Sequence, residues 1–151
     1  MTMSTTDPCG CPPTATGERA PGRVHHVILN VTDLARSRAF YAPLLPFLGY
    51  DGGITEIPGG VGWYGAGGSF WLKAAAPALS ADGFHKDRVG LCEIAFAAAS
   101  REQVDALHRA LVGAGACVLD PPREYDYTPG YYAVFFADPD GMKLELVHIP
   151  G

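Results

Sequence analysis

The sequence predicts an α+β protein in which one strand–helix–strand–strand–strand (βαβββ) unit occurs twice. Three observations carry that reading. An apolar, strand-like run followed by a helix-capping residue and an amphipathic stretch opens each half of the folded region. The two occurrences come into register at a shift of about 67 residues. Each is followed by short strand-like runs separated by Gly- or Pro-containing turns.

The first unit opens at Val24–Val31 (VHHVILNV), a β-branched strand. Thr32 or Asp33 can cap the next helix by accepting its orphan backbone N–H bonds. Leu34, Ser37, Tyr41, Leu44, Leu45 and Leu48 follow helical spacing, and Pro43 and Pro46 are expected to end or kink that helix early. Strands are expected at Tyr50–Ile57, Val61–Tyr64 and Ser69–Ala74, and a linker at 75–88.

The second unit opens at Gly90–Ala98 (GLCEIAFAA). Ser100 and Gln103 have the spacing of a capping box. Val104, Leu107, Leu111 and Val112 form the apolar stripe, and Gly113 and Gly115 are stop signals. Strands are expected at Ala116–Leu119, Tyr131–Ala137 and Met142–Ile149, with Asp138-Pro139-Asp140-Gly141 as the turn between the last two. Each unit is too small to bury its own sheet face, so the two sheets should share a core or a cleft.

Residues 1–22 are rich in Pro, Thr, Gly and Ala and read as a disordered tail. Residues 23–150 read as one domain of two modules, 23–75 and 89–150. The 151 residues carry a net charge of −5 and are 48% hydrophobic and 18% charged, which is a globular composition. Eleven Lys and Arg against 16 Asp and Glu, without clusters, argue against nucleic-acid binding. No apolar run reaches the length of a membrane-spanning helix, and no secretory signal pattern stands at the start. Four cysteines in so apolar a chain suggest a reducing cytoplasm rather than a disulfide framework, and Cys9 and Cys11 read as part of an inert tail.

Alternation places His26 with Val24, Ile28 and Asn30 on one strand face, Glu93 with Leu91 and Ala95, and Glu145 with Lys143 and Val147. Ionisable groups on such faces are costly unless exposed, paired or bound to a metal. Two carboxylates brought together without a metal would repel, so one would take a proton or pair with Lys143. Trp63, Tyr64, Trp71, Tyr125, Tyr127, Tyr131 and Tyr132 suit a cleft for a planar or apolar ligand, although Trp63 and Trp71 suit a core equally. Glu124–Gly130 is a candidate lid in a 120–130 loop.

Gly60-Val61-Gly62-Trp63-Tyr64-Gly65 matches G-x-G-x-x-G but opens no helix, so a dinucleotide site is not expected. His85 and His108 lack ligand partners at useful spacing, and no G-x-S-x-G nucleophile motif occurs.

The stretch HHVILNVTDLARSRAFYAPLLPFLGY resembles the opening of the vicinal oxygen chelate superfamily, and GYYAVFFADPDGMKLELVHIP resembles its closing strands. With IAFAAASREQVDALHRAL the resemblance covers about Arg23 to Pro150. It implies paired βαβββ modules whose mixed sheets curl around a metal-binding cleft. His26 matches the first ligand position and Glu145 the final carboxylate. Glu93 stands where the family usually has His, and matching Gly68 to Gly141 puts Leu72 at a possible fourth position. The implied ligand set is therefore His26, Glu93 and Glu145, a hard set suited to Mn, Fe or Mg, with Ni or Zn also possible. Glu93 could instead serve as a general base. Tyr131 or Tyr132 would be the catalytic tyrosine, and Trp63, Trp71, Tyr127 and Lys143 would line the substrate cleft.

The implied function is a small metalloenzyme acting on a substrate that chelates through neighbouring oxygens. Lyase, isomerase, thiol-transferase and dioxygenase chemistry all occur on this scaffold. The alternative is a bleomycin-resistance-like protein that binds a small molecule without turnover. The resemblance also implies a homodimer.

Overall fold

A computed structural model of the chain describes residues 22–65 and 67–151. Apart from Gly22, the expected tail, with Cys9 and Cys11, lies outside the described residues. The elements run β1 (His26–Val31), α1 (Leu34–Phe47), β2 (Ile54–Ile57), β3 (Gly60–Gly65) and β4 (Gly68–Ala74), then β5 (Glu93–Ala97), α2 (Arg101–Gly113), β6 (Cys117–Glu124), β7 (Tyr132–Ala137) and β8 (Lys143–His148). A single 3₁₀ turn at Ser80–Asp82 interrupts the linker. The βαβββ order thus occurs twice.

The repeat extends to topology. The sheets have the orders β1-β4-β3-β2 and β5-β8-β7-β6. In each, the first strand pairs in parallel with the last, and the other pairs are antiparallel. The helix starts also correspond. Asp33 accepts a bond from Arg36 N, and Ser100 accepts one from Gln103 N. Gln103 Oε1 reaches back to Ala99 N (2.7 Å), one residue before the expected partner.

The helix ends use one device. At α1, Gly49 N donates to Pro46 O and Tyr50 N to Leu45 O; at α2, Gly115 N donates to Val112 O and Ala116 N to Leu111 O. This is the paired closure that a left-handed residue permits, and the glycines have φ of +90° and +67°.

Two sequence expectations are corrected. Helix α1 does not end or kink early but runs through Pro43 and Pro46 to Phe47. Both prolines lie on its exposed side, where water can satisfy the carbonyls they leave free, while Tyr41, Leu44 and Leu45 anchor the buried side. Strand β6 extends beyond Leu119 to Glu124 through Pro121 and Pro122. It is an edge strand with register shifts on both sides of Asp120, the setting in which a sheet tolerates proline.

One core runs through both modules. Val31, Trp63, Phe70 and Leu72 from the first sheet and Phe96, Val134, Phe136, Leu144 and Leu146 from the second join residues of both helices. Phe70 and Phe96 meet across the module boundary with ring centroids 6.1 Å apart. Polar bonds reinforce the junction. Tyr41 Oη donates to Asp138 Oδ2 (3.0 Å), and Asp138 Oδ1 accepts from the backbone N of Asp140 and Met142. Asp140 in turn accepts from Thr32 N (2.8 Å), from the Thr32 hydroxyl and from Arg36. The Asp138–Gly141 turn therefore ties the end of β7 to the start of α1.

Candidate functional site

Each sheet buries one face against its helix and turns the other away from it. Strand register identifies the residues on the second, helix-free face. In the first sheet His26, Ile28 and Asn30 pair with Ser69, Trp71 and Lys73. In the second, Glu93 and Ala95 pair with Lys143 and Glu145, and Glu145 pairs with Phe135.

Register also corrects the matching of the modules. His26 pairs with Ser69 as Glu93 pairs with Lys143, so the counterpart of Glu145 in the first module is Trp71. Leu72 lies on the opposite face and is fully buried. Glycine spacing misaligns the modules because the turn before β4 is shorter than the turn before β8.

Around Glu145 the structure gathers Tyr131, Glu93 and Lys143. Tyr131 Oη donates to Glu145 Oε1 at 2.5 Å. Lys143 Nζ lies 2.6 Å from Glu93 Oε2 and 4.4 Å from the centre of the Phe135 ring. Although this face carries no helix, Glu145 is 1% exposed. Burial is the main cause that raises its pKa. The Tyr131 hydrogen bond opposes the shift, Glu93 adds to it, and Lys143 opposes it. The Tyr131 hydroxyl is pushed well above its ordinary value by burial and by the two carboxylates, so it keeps its proton at neutral pH.

An aromatic cluster adjoins this group. Tyr125 stacks on Tyr127 with centroids 5.6 Å apart and planes 5° apart, and both meet Tyr131 edge-on. Tyr125 is also edge-on to Phe135 and donates to Asp120 Oδ2 (2.7 Å); burial and that bond push its pKa up to about 12. Arg123 packs over the Tyr125 ring and pairs with Asp120. Tyr127 is 70% exposed. Sequence reading passed over Asp120 and Arg123, which its expected 120–130 loop left without a fixed orientation.

The remaining candidates separate. Tyr132 points to the helix side, where it donates to Asp105 (2.8 Å) under Arg101. Trp63 is fully buried in the core and does not line the helix-free face, because it pairs with Phe70 on the helix side of the sheet. Trp71 does lie on the helix-free face, edge-on to Tyr64, with its Nε1 donating to Ser69 Oγ. Its indole lies over Gly62, where a Cβ would meet the ring at 2.4 Å. The glycine pattern of β3 therefore serves packing rather than phosphate binding.

His26 stands on the first sheet and is exposed. His25 engages its Nδ1 at 3.1 Å, which leaves Nε2 as the nitrogen open to a ligand. Among the described residues no three His, Cys, Asp or Glu side chains gather in a metal-binding group, so His26 does not join Glu93 and Glu145 within one chain. The second sheet by itself offers two carboxylates, Glu93 already paired with Lys143 and Glu145 with Tyr131. Glu93 Oε2 is buried and meets the Lys143 ammonium at 2.6 Å.

The family model of the Glyoxalase/Bleomycin resistance protein/Dioxygenase superfamily matches residues 50–146. The chain belongs to this superfamily. The uncharacterised protein YqjT of Bacillus subtilis is 38% identical to it over 128 residues, covering 82% of this chain and 97% of YqjT. A crystal structure of a candidate glyoxalase from Bacillus halodurans superposes with a TM-score of 0.73 at 32% identity, covering 85% of this chain and 97% of that one. A glyoxalase/bleomycin resistance protein from Albidiferax ferrireducens superposes with a TM-score of 0.60 at 28% identity, covering 84% and 98%.

Proposed function

We propose that this protein is a small-molecule metalloenzyme of the superfamily whose site forms between two copies of the chain. Glu93 and Glu145 of one copy and His26 of the other would hold a divalent ion. The observation that carries the reading is Glu145, a buried carboxylate on a helix-free sheet face with Tyr131 as its hydrogen-bond donor. His26 supports the two-copy arrangement. It projects from an exposed face beside Ile28, which is 50% exposed, and Trp71. Covering that face with a second copy would bury the apolar surface and add the third donor.

When bound, the ion would supply Lewis-acid stabilisation of negative charge developing on neighbouring substrate oxygens. The chain's own residues do the rest. Tyr131 keeps its proton and holds the Glu145 carboxylate in one orientation. Lys143 offsets the charge of Glu93. Tyr127, stacked on Tyr125 and largely exposed, would offer a flat surface to a planar substrate. A reducing cytoplasm suits Cys92 and Cys117, which are exposed free thiols among the described residues.

The test is elemental analysis of the full chain purified without chelator, with His26→Ala, Glu145→Ala and a refolded mixture of the two. Each variant alone should lose the metal. The mixture should recover roughly a quarter of the wild-type content, because half of the dimers would hold one intact site. Absence of recovery in the mixture would sink the two-copy site, and full retention by Glu145→Ala would sink the ligand assignment. A second reading, ligand sequestration without turnover, is favoured by the exposed Tyr127 ring. Binding of planar ligands by metal-free wild-type protein would support it.

A further inference from the structure

We infer that the cavity between the β4–β5 connection and the module junction binds a small amphiphilic anion, with its apolar body against the connection and its carboxylate on Arg88. This site is separate from the Glu145 face and does not depend on the metal reading.

The cavity holds about 550 Å³, the size of an ordinary small-ligand site. The β4–β5 connection forms one wall. The other is the end of β1 and the Asp138–Met142 segment that ties the modules together. Leu29, Leu79, Phe84, Val89, Leu91 and Met142 make most of the lining apolar. Three of these belong to the connection and are exposed, Leu79 at 65%, Leu91 at 51% and Val89 fully. Large apolar side chains left in water around one concavity are surface that an apolar molecule would cover.

The polar groups of the wall decide the charge of that molecule. Both carboxylates are engaged. Asp138 takes bonds from Tyr41 and from the backbone of Asp140 and Met142, and Asp140 takes bonds from Thr32 and Arg36. A cationic ligand would have to compete with these donors. Arg88 differs, because its guanidinium makes no ion pair or hydrogen bond among the described residues. His85 lies on the same turn, where Arg88 N donates to His85 O (3.1 Å). The His85 Nδ1 accepts from Asp87 N (3.2 Å), which leaves the ring proton on Nε2. Lys86, the other cation of the turn, is already held by Asp87 (2.7 Å). The connection thus offers two uncommitted donors, a planar fork and a single N–H, to which a carboxylate is the matching acceptor.

The experiment is calorimetric titration of the full chain, in the presence of chelator, with decanoate and with decyltrimethylammonium. The two share a chain length and differ in charge, and both are kept below their micelle concentrations. The proteins are wild type, Arg88→Gln, Leu79→Asp and, as a control in the separate apolar groove between α1 and α2, Ala110→Asp. Circular dichroism checks that each is folded. Wild type should bind one decanoate per chain and the cation at least about tenfold more weakly. Arg88→Gln should lose roughly tenfold in decanoate affinity, the worth of a charge-assisted pair. Leu79→Asp should lose at least as much, and Ala110→Asp should bind like wild type. No binding of decanoate at millimolar concentration would overturn the inference outright. Equal binding of the two chains, or an unchanged Arg88→Gln, would overturn the anion assignment. Loss in Ala110→Asp with Leu79→Asp unaffected would move the ligand to the helix groove and overturn the site. Decanoate affinity that falls as copies associate, followed by sedimentation at rising protein concentration, would overturn it too, by giving the cavity to a second copy.

Discussion

Glu145 shows how much chemistry one side chain inherits from its position. On an exposed sheet face it would be an ordinary carboxylate. Here burial raises its pKa, and Tyr131 supplies the hydrogen bond that favours the charged form. For an acid raised by burial, the stability contribution is full below the ordinary value of 4.5 and is lost as pH rises through the folded value. Tyr131→Phe removes the donor from the ionised group and should destabilise the metal-free protein by about 1–3 kcal/mol at neutral pH. The penalty should have shrunk by pH 4, because Glu145 takes up its proton above the ordinary 4.5. Urea denaturation at the two pH values measures this, and a penalty independent of pH would contradict it. The sequence marked Glu145 and Lys143 as facing one way but left Tyr131 and Tyr132 undecided. A shift of one residue moves a tyrosine from one sheet face to the other, and only the strand pairing fixes it.

At the scale of elements, the two modules solve local problems alike, and most of those solutions were legible. Asp33 and Ser100 cap as their chemistry dictates, and Gly115 closes α2. Gly115 has φ +67° and open space around a would-be Cβ, so Gly115→Ala tests backbone conformation alone. It should cost about 1 kcal/mol, measured as a lower denaturation midpoint with an unchanged slope. Gly62→Val tests a different limit, because its side chain would occupy the position of the Trp71 indole. It should cost more than Gly115→Ala and change the tryptophan fluorescence of the folded state. Helix α1 shows where local reading failed. Proline rules describe an isolated helix, whereas three buried anchors and an exposed proline edge keep this one continuous. In β6 the expected strand stopped at Leu119; that it runs on through Pro121 and Pro122 depends on its place at a sheet edge, which is a property of the assembled sheet.

For the whole molecule, the decisive feature is the junction between modules. Tyr41 of α1 reaches Asp138 in the turn before β8, and both are buried. Burial raises the Asp138 pKa, while the Met142, Tyr41 and Asp140 donors pull it down. Tyr41→Phe should therefore move the Asp138 titration further above 3.8, observable by carboxyl NMR, and should destabilise the protein by about 1–3 kcal/mol. Unfolding should remain a single transition, because Phe70 and Phe96 keep the two modules in one core. A downward shift of Asp138 would show that Tyr41 does not act as its donor.

The sequence by itself determined the doubled βαβββ plan, the helix starts, the Asp138–Gly141 turn and the strand faces carrying His26, Glu93 and Glu145. These follow from periodicity and capping, which are local and repeat along the chain. Only the tertiary structure decided that Trp71, not Leu72, is the counterpart of Glu145, that Trp63 is core, and that Tyr131 rather than Tyr132 meets the carboxylate. It also decided that Lys143 meets Glu93 and that His26 stands apart from both. Each depends on register between strands distant in sequence. Register is set by the packing of whole faces, and no short stretch of residues contains it.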